Sequence, residues 1–165
     1  MNIILAGMPG SGKTTVAHAL GKLVDAKIID TDAEIVKRHG ALNAIFQNYG
    51  EKTFRDIETE TVKEVCGLSG VIVATGGGCL LREENVSLFK RSGKIVYLRT
   101  QLKTLINRVN GDTSRPLLKG SVEEKLTALY KVRESVYMAA ADFTFDTDDR
   151  TPEEIANQIL ALLQK

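Results

Sequence analysis

Eight residues near the start of the chain, Gly7-Met8-Pro9-Gly10-Ser11-Gly12-Lys13-Thr14, match the pattern G-x-x-x-x-G-K-[ST] and constrain everything around them. Glycines let successive backbone N–H groups turn inward around an anion, and the pattern works where a strand feeds it and a helix leaves it. Both flanks are present. Residues 2–6 form a short apolar run, and Val16, Ala17 and Leu20 open a helical period. The helix N-terminus then adds positive potential to the cradle. The residues assigned to a nucleotide are Gly10, Ser11, Gly12, Lys13, Thr14 and Thr15, with Lys13 reaching the β- and γ-phosphates and the Thr14 hydroxyl ligating Mg²⁺. ATP and Mg²⁺ are the expected ligands, and phosphoryl transfer or hydrolysis the expected chemistry.

The rest of the chain supplies a fold in which such a loop belongs. Short β-branched runs at 2–6, 27–30, 71–74, 94–98 and 143–145 alternate with longer stretches of helical period. Ile3-Ile4-Leu5 and Val71-Ile72-Val73-Ala74 are apolar without alternation, as strands covered on both faces must be. The expectation is a three-layer α/β/α domain over residues 1–165 with a central five-stranded parallel sheet. Thr151-Pro152-Glu153-Glu154 opens a last helix with a capping box and a proline at its first position. Two insertions depart from this alternation. Residues 31–67 read as successive short helices with no strand between them, a flap over a substrate. The stretch 110–120, within a lid of about 109–121, is glycine-bounded and interrupted by Pro116.

Composition narrows the partners. Lys and Arg total 22 against 21 Asp and Glu, so no global basic field gathers nucleic acid or a membrane surface, and anions must be met by local charge. Cys66 and Cys79 are too far apart in sequence for a close-spaced metal pair, and His18 and His39 add too little for a zinc cluster. Free thiols and an N-terminus without a basic leader point to the cytoplasm. A monomer without macromolecular partners is expected.

Four further groups carry candidate chemistry. Asp30-Thr31-Asp32 ends the second strand and reads as two carboxylates on the same side of an extended segment, Asp30 for the metal shell and Asp32 for a substrate hydroxyl and its proton. The plainer reading is an N-cap of the next helix. Arg55, with Glu58 three residues on to hold its guanidinium, suits a carboxylate, and Arg133 can meet the same group from elsewhere in the fold. Singly, each arginine is more often a surface ion pair. Gly76, Gly77 and Gly78 follow the third strand directly, where absent side chains let a substrate approach the backbone; the plainer reading is a flexible exit from the strand. Cys79 next to them reads as packing.

Taken in order, the loop at 7–14, Asp30-Thr31-Asp32, Phe54-Arg55, Gly76-Gly77-Gly78, Arg115-Pro116-Leu117-Leu118 and Arg133 resemble the shikimate kinase family nearly end to end. The resemblance implies a P-loop, nucleoside-monophosphate-kinase-like fold and transfer of the ATP γ-phosphate to the 3-hydroxyl of shikimate, a step towards the aromatic amino acids. It implies that Asp32 holds the shikimate hydroxyls, that Arg55, Arg133 and the three glycines bind the carboxylate and ring, and that Arg115 swings in over the phosphates. Arg108 looks like the family's adenine-stacking residue, with the 148–152 loop across the base. The chain departs from the family at Ser135, where a proline is common, and Asp56 stands beside Arg55 as a competitor for it. A gluconate or nucleotide kinase would share the loop, sheet and lid, and an inactive nucleotide binder would share the fold. A GTPase switch is disfavoured because no Asn-Lys-x-Asp occurs.

Overall fold

Strand β1 (Asn2–Ala6) lies at the centre of the sheet because every one of its residues is buried, and only a strand flanked on both edges and both faces can hide five in a row. The computed structural model describes residues 1–110 and 119–164. In it β1 pairs in parallel with β3 (Ile72–Ala74) on one side and β4 (Gly93–Arg99) on the other, while β2 (Ile28–Asp30) and β5 (Phe143–Asp146) form the edges in the order β2-β3-β1-β4-β5. The five strands expected from sequence are these five, with boundaries moved by a residue.

Period two along β1 sends its side chains to two separate cores. Ile3 and Leu5 pack with Val16 and Leu20 of α1 (Lys13–Val24) and with Ile155 and Ile159 of α7 (Pro152–Leu163). Ile4 and Ala6 face the opposite layer, built from α3 (Leu42–Cys66), α4 (Glu83–Ser92), α5 (Leu102–Asn110) and α6 (Lys119–Ala140). The capping box of α7 forms as its sequence promises: Thr151 Oγ1 accepts from Glu154 N at 3.2 Å, and Thr151 N donates to Glu154 Oε2 at 2.7 Å.

Between β2 and β3 the chain makes α2 (Thr31–His39) and α3, the helical insertion expected over 31–67. Gly50, at φ 84° and ψ 171°, breaks α3 sharply into two helical stretches. Ile35, Ile45 and Phe54 give this insertion a small core of its own, with Phe46 stacked on Phe54 at 4.3 Å between ring centroids. Residues 111–118 of the expected lid, Arg115 among them, lie outside the described residues, and its ends at 109–110 and 119–121 belong to α5 (Leu102–Asn110) and α6 (Lys119–Ala140).

All strand C-terminal ends point the same way, so the loops leaving β1, β2 and β3 meet at one edge of the sheet, next to the point where the strand order reverses. The opposite edge is closed by backbone contact. Gly93 pairs with Asn2 across β1 and β4, and a Cβ at Gly93 would overlap the Asn2 carbonyl. Asn2 is itself fixed, its Nδ2 donating to Leu68 O at 2.9 Å and its Oδ1 accepting from Val71 N at 3.1 Å. Gly93→Ala should therefore cost about 1–3 kcal/mol through overpacking, or roughly 3–10 °C in melting temperature for a chain of this size. A thermal melt identical to that of the parent protein would show that the strands separate freely there.

Candidate active site

The loop leaving β1 adopts backbone angles that side chains resist: φ is 154° at Gly7, 81° at Gly10 and 90° at Gly12. At Gly7 space is also lacking, since a Cβ would stand 2.7 Å from Ser11 Oγ and 2.8 Å from the Leu98 carbonyl. Gly12 begins α1 with no side-chain cap, so the first-turn N–H groups are left for an external acceptor. Lys13 folds back over the loop, donating from Nζ to Gly7 O at 2.8 Å and Met8 O at 2.9 Å. Burial pushes its pKa down to about 8, opposed by Asp32 and Asp30 and reinforced by the charge of Arg133. Thr14 and Thr15 are exposed in the first turn of α1.

The two carboxylates of 30–32 reach the loop by a different geometry from the expected extended one. Strand β2 stops at Asp30, whose Oδ1 accepts from Ala33 N at 3.1 Å and starts α2 at Thr31. Asp32 therefore sits on the first turn of a helix. The capping interaction wins because it satisfies a helix N–H that the strand could not use. Asp30 also remains available at the loop, its Oδ2 accepting from Thr14 Oγ1 at 3.3 Å. Asp32 lies against Gly76, where a Cβ would come within 2.5 Å of its Oδ1. Its carboxyl is raised above the usual aspartate range, first by burial and then by Asp30, against the pull of Lys13 and Arg55.

Each of the next two glycines faces one arginine. A Cβ on Gly77 would stand 3.0 Å from Arg133 Nη1, and one on Gly78 would collide with both terminal nitrogens of Arg55. Arg55 is buried and donates from Nη1 to Glu58 Oε2 at 2.9 Å, with Glu51 at 3.7 Å on its other side. Glu58, 1% exposed, is raised by burial against the charge and hydrogen bond of Arg55. The neighbouring Asp56 does not compete. It turns away to accept from Arg82 Nη1 at 2.8 Å, as residues adjacent on a helix do not share a face. The helix α6 that carries Arg133 runs unbroken through Ser135, so the missing proline leaves it straight enough to deliver the arginine.

Arg108 is not a free surface arginine: its Nη1 donates to Gly10 O at 2.8 Å, placing the guanidinium beside the phosphate loop. The 148–152 loop is tied to the same helix, with Asp148 Oδ2 accepting from Gln101 N at 3.0 Å and its Oδ1 bonded to Thr104 Oγ1. Two contributors escaped the sequence reading. Thr31, fully buried, accepts the Gly76 N–H at 2.9 Å and so locks the glycine loop to α2. Tyr137 donates its hydroxyl to the Gly77 carbonyl. The four-residue spacing from Arg133 was the one signal for Tyr137; nothing local marks Thr31.

Among the described residues no group of three or more His, Cys, Asp or Glu could hold a metal unaided. The Thr14 hydroxyl and Asp30 carboxylate do offer hard oxygen donors at the mouth of the phosphate loop. That donor set fits Mg²⁺ carried in by a nucleotide, which takes one or two protein ligands and completes its shell with phosphates and water.

Comparison with known proteins shows the family. The family model described as shikimate kinase matches residues 9–164. A shikimate kinase of Geobacter sulfurreducens is 39% identical, over 99% of this chain and 91% of its own. One from Coxiella burnetii is 41% identical, over 96% of this chain and 91% of its own. The solved structure of shikimate kinase from Acinetobacter baumannii in complex with shikimate superposes with a TM-score of 0.90 at 36% identity, covering 99% of this chain and 92% of that one. Matched by the family model over residues 9–164 and by relatives about 40% identical over nearly their whole length, the chain belongs to the shikimate kinase family.

Proposed function

We propose that this protein transfers the γ-phosphoryl group of ATP to the 3-hydroxyl of shikimate. The observation that carries the reading is the row of three glycines with Asp32, Arg133 and Arg55 set against them in turn, Asp32 and Arg133 within Coulombic reach of Lys13 and Arg55 within reach of Asp32. An acceptor with a carboxylate at one end and hydroxyls at the other matches two guanidinium groups and one aspartate. A nucleobase would leave those charges unpaired in a buried site. Gluconate also has a carboxylate, and serves as a control rather than a second reading.

In this mechanism Arg55 and Arg133 hold the acceptor carboxylate, and Glu58 keeps the Arg55 fork in one orientation. Asp32 accepts the proton of the attacking hydroxyl as the new P–O bond forms and the bond to the ADP oxygen breaks. Its raised pKa strengthens it as a base. Lys13 leaves the Gly7 and Met8 carbonyls for the β- and γ-phosphates, and the uncapped amides of α1 hold the remaining oxygens. Thr14 and Asp30 would hold Mg²⁺ brought in with the nucleotide, and it would supply charge neutralisation at the phosphates. Arg108 offers its guanidinium plane to adenine, and Arg115 is assigned to the transferring phosphoryl group. We place the reaction in the cytoplasm and assign it to a monomer; free thiols at Cys66 and Cys79 support the reducing compartment.

Incubating the protein with Mg·ATP and shikimate, with quinate and gluconate alongside, and following ADP release tests the reading directly. ADP release with gluconate alone would remove shikimate as the acceptor. Asp32→Asn should leave ATP binding nearly intact while turnover falls about a hundredfold or more, the scale of a lost general base; unaltered turnover excludes Asp32 from proton transfer. The pH profile offers a separate check. Lys13 is charged below its free-enzyme pKa of about 8 and neutral above it. The kcat/KM for ATP should therefore decline as pH rises through about 8, and Lys13→Arg, which stays charged, should flatten that limb. A basic limb unchanged in the arginine variant would mean that another group titrates.

A further inference from the structure

The middle glycine of the row is held differently from its neighbours. The carbonyls of Gly76 and Gly78 are used inside the turn that follows them, accepting from Cys79 N at 3.0 Å and Leu81 N at 3.1 Å. The Gly77 carbonyl turns the other way, towards α6, and accepts from the Tyr137 hydroxyl. Gly77 also meets Arg133 Nη1 and the Pro9 ring, 3.0 and 3.1 Å from where a Cβ would be. Arg133 and Tyr137 are four residues apart on α6 and share a face. One turn of one helix thus grips a single peptide at two points.

Tyr137 is built to hold that grip. It is 2% exposed, and its ring packs on the fully buried Tyr97 of β4 at 5.1 Å between centroids, tilted by 36°. The sheet therefore fixes the ring, and the ring fixes the hydroxyl. Burial pushes its pKa up to about 12, so the hydroxyl remains a donor at working pH. Gly77 is only half-buried, so without the hydroxyl its carbonyl would turn to water and the loop would be free to shift.

We propose that Tyr137 is a positioning residue for the acceptor site: by anchoring the Gly77 carbonyl it sets the glycine loop against Arg133, and with it the spacing of the two arginines over the acceptor carboxylate. The inference rests on the carboxylate clamp described above. Lys13 is bonded to Gly7 O and Met8 O and Thr14 to Asp30, so neither of these nucleotide-site contacts runs through the Tyr137 hydroxyl.

Tyr137→Phe keeps the ring and its packing and removes one oxygen. The expected result is a rise of about tenfold in the KM for shikimate, the scale of one hydrogen bond lost, with the KM for ATP and the melting temperature little changed. In an Arg133→Ala background, where the clamp is already broken, the same substitution should add nothing further to the KM for shikimate. An unchanged KM for shikimate in Tyr137→Phe overturns the proposal. So does an equal rise for both substrates with a lowered melting temperature, which would make Tyr137 a packing residue only, and so does an undiminished effect in the Arg133→Ala background. If Arg133→Ala by itself leaves the KM for shikimate unaltered, the clamp fails first and the role of Tyr137 fails with it.

Discussion

Close approach of side chains to a backbone stripped of Cβ atoms governs the site. Asp32, Arg133 and Arg55 come from three different helices, yet each lies within contact distance of a place where a Cβ at Gly76, Gly77 or Gly78 would stand. A methyl group would force Asp32 to shift at Gly76 and Arg55 at Gly78, and at Gly77 it would crowd Arg133 and the Pro9 ring. The loop is in turn pinned on both flanks, by Thr31 at the Gly76 amide and by Tyr137 at the Gly77 carbonyl. Thr75, just before it, is tied to β1 through bonds from its N and Oγ1 to Leu5 O. Every distance in the acceptor site is therefore referred to the parallel pairing of β1 and β3, which also aims the phosphate loop.

Gathering three cations and three carboxylates in one cleft has an electrostatic consequence. Lys13 is pushed towards neutrality, while Asp32 and Glu58 are pushed towards protonation, and in all three burial is the largest cause. Each charge is made tolerable by another: Glu58 by Arg55, Asp32 by Lys13 and Arg55. An ATP phosphate and an acceptor carboxylate entering this cleft meet groups already desolvated and already oriented, which is the condition under which hydrogen bonds to charged groups act most strongly. Fold, buried charge and proposed chemistry are in this way parts of one arrangement.

Much of this was legible in the residues. The glycine-rich loop, the five strands, the capping box of α7 and the Arg55–Glu58 pair are local patterns, in which residues within four positions meet through backbone geometry alone. Asp32 was expected on an extended segment and lies instead on the first turn of α2, because the choice between a continuing strand and a capped helix turns on one hydrogen bond to Ala33 N. Thr31 and Tyr137 could not be weighed in the same way. Their partners, Gly76 and Gly77, lie 45 and 60 residues away, and a threonine or tyrosine in a helix carries no mark of a distant carbonyl or amide. Arg108 is intermediate. Family resemblance singled it out, and only the folded chain shows its guanidinium bonded to Gly10 O, 98 residues from it.

The sequence by itself determined the phosphate loop, the alternation of strands and helices, and the presence of two arginines and an aspartate in a chain with no net charge to spare for bulk attraction. Those follow from short-range sterics, hydrophobic period and composition, which act before any long-range contact forms. Tertiary structure decided which glycine faces which side chain, that Asp56 pairs with Arg82 rather than Arg55, and that one turn of α6 grips the glycine loop. The physical reason is that the β2-β3-β1-β4-β5 order brings together ends of strands far apart in sequence. Contacts made across that edge depend on packing and register, neither of which is written in any local stretch.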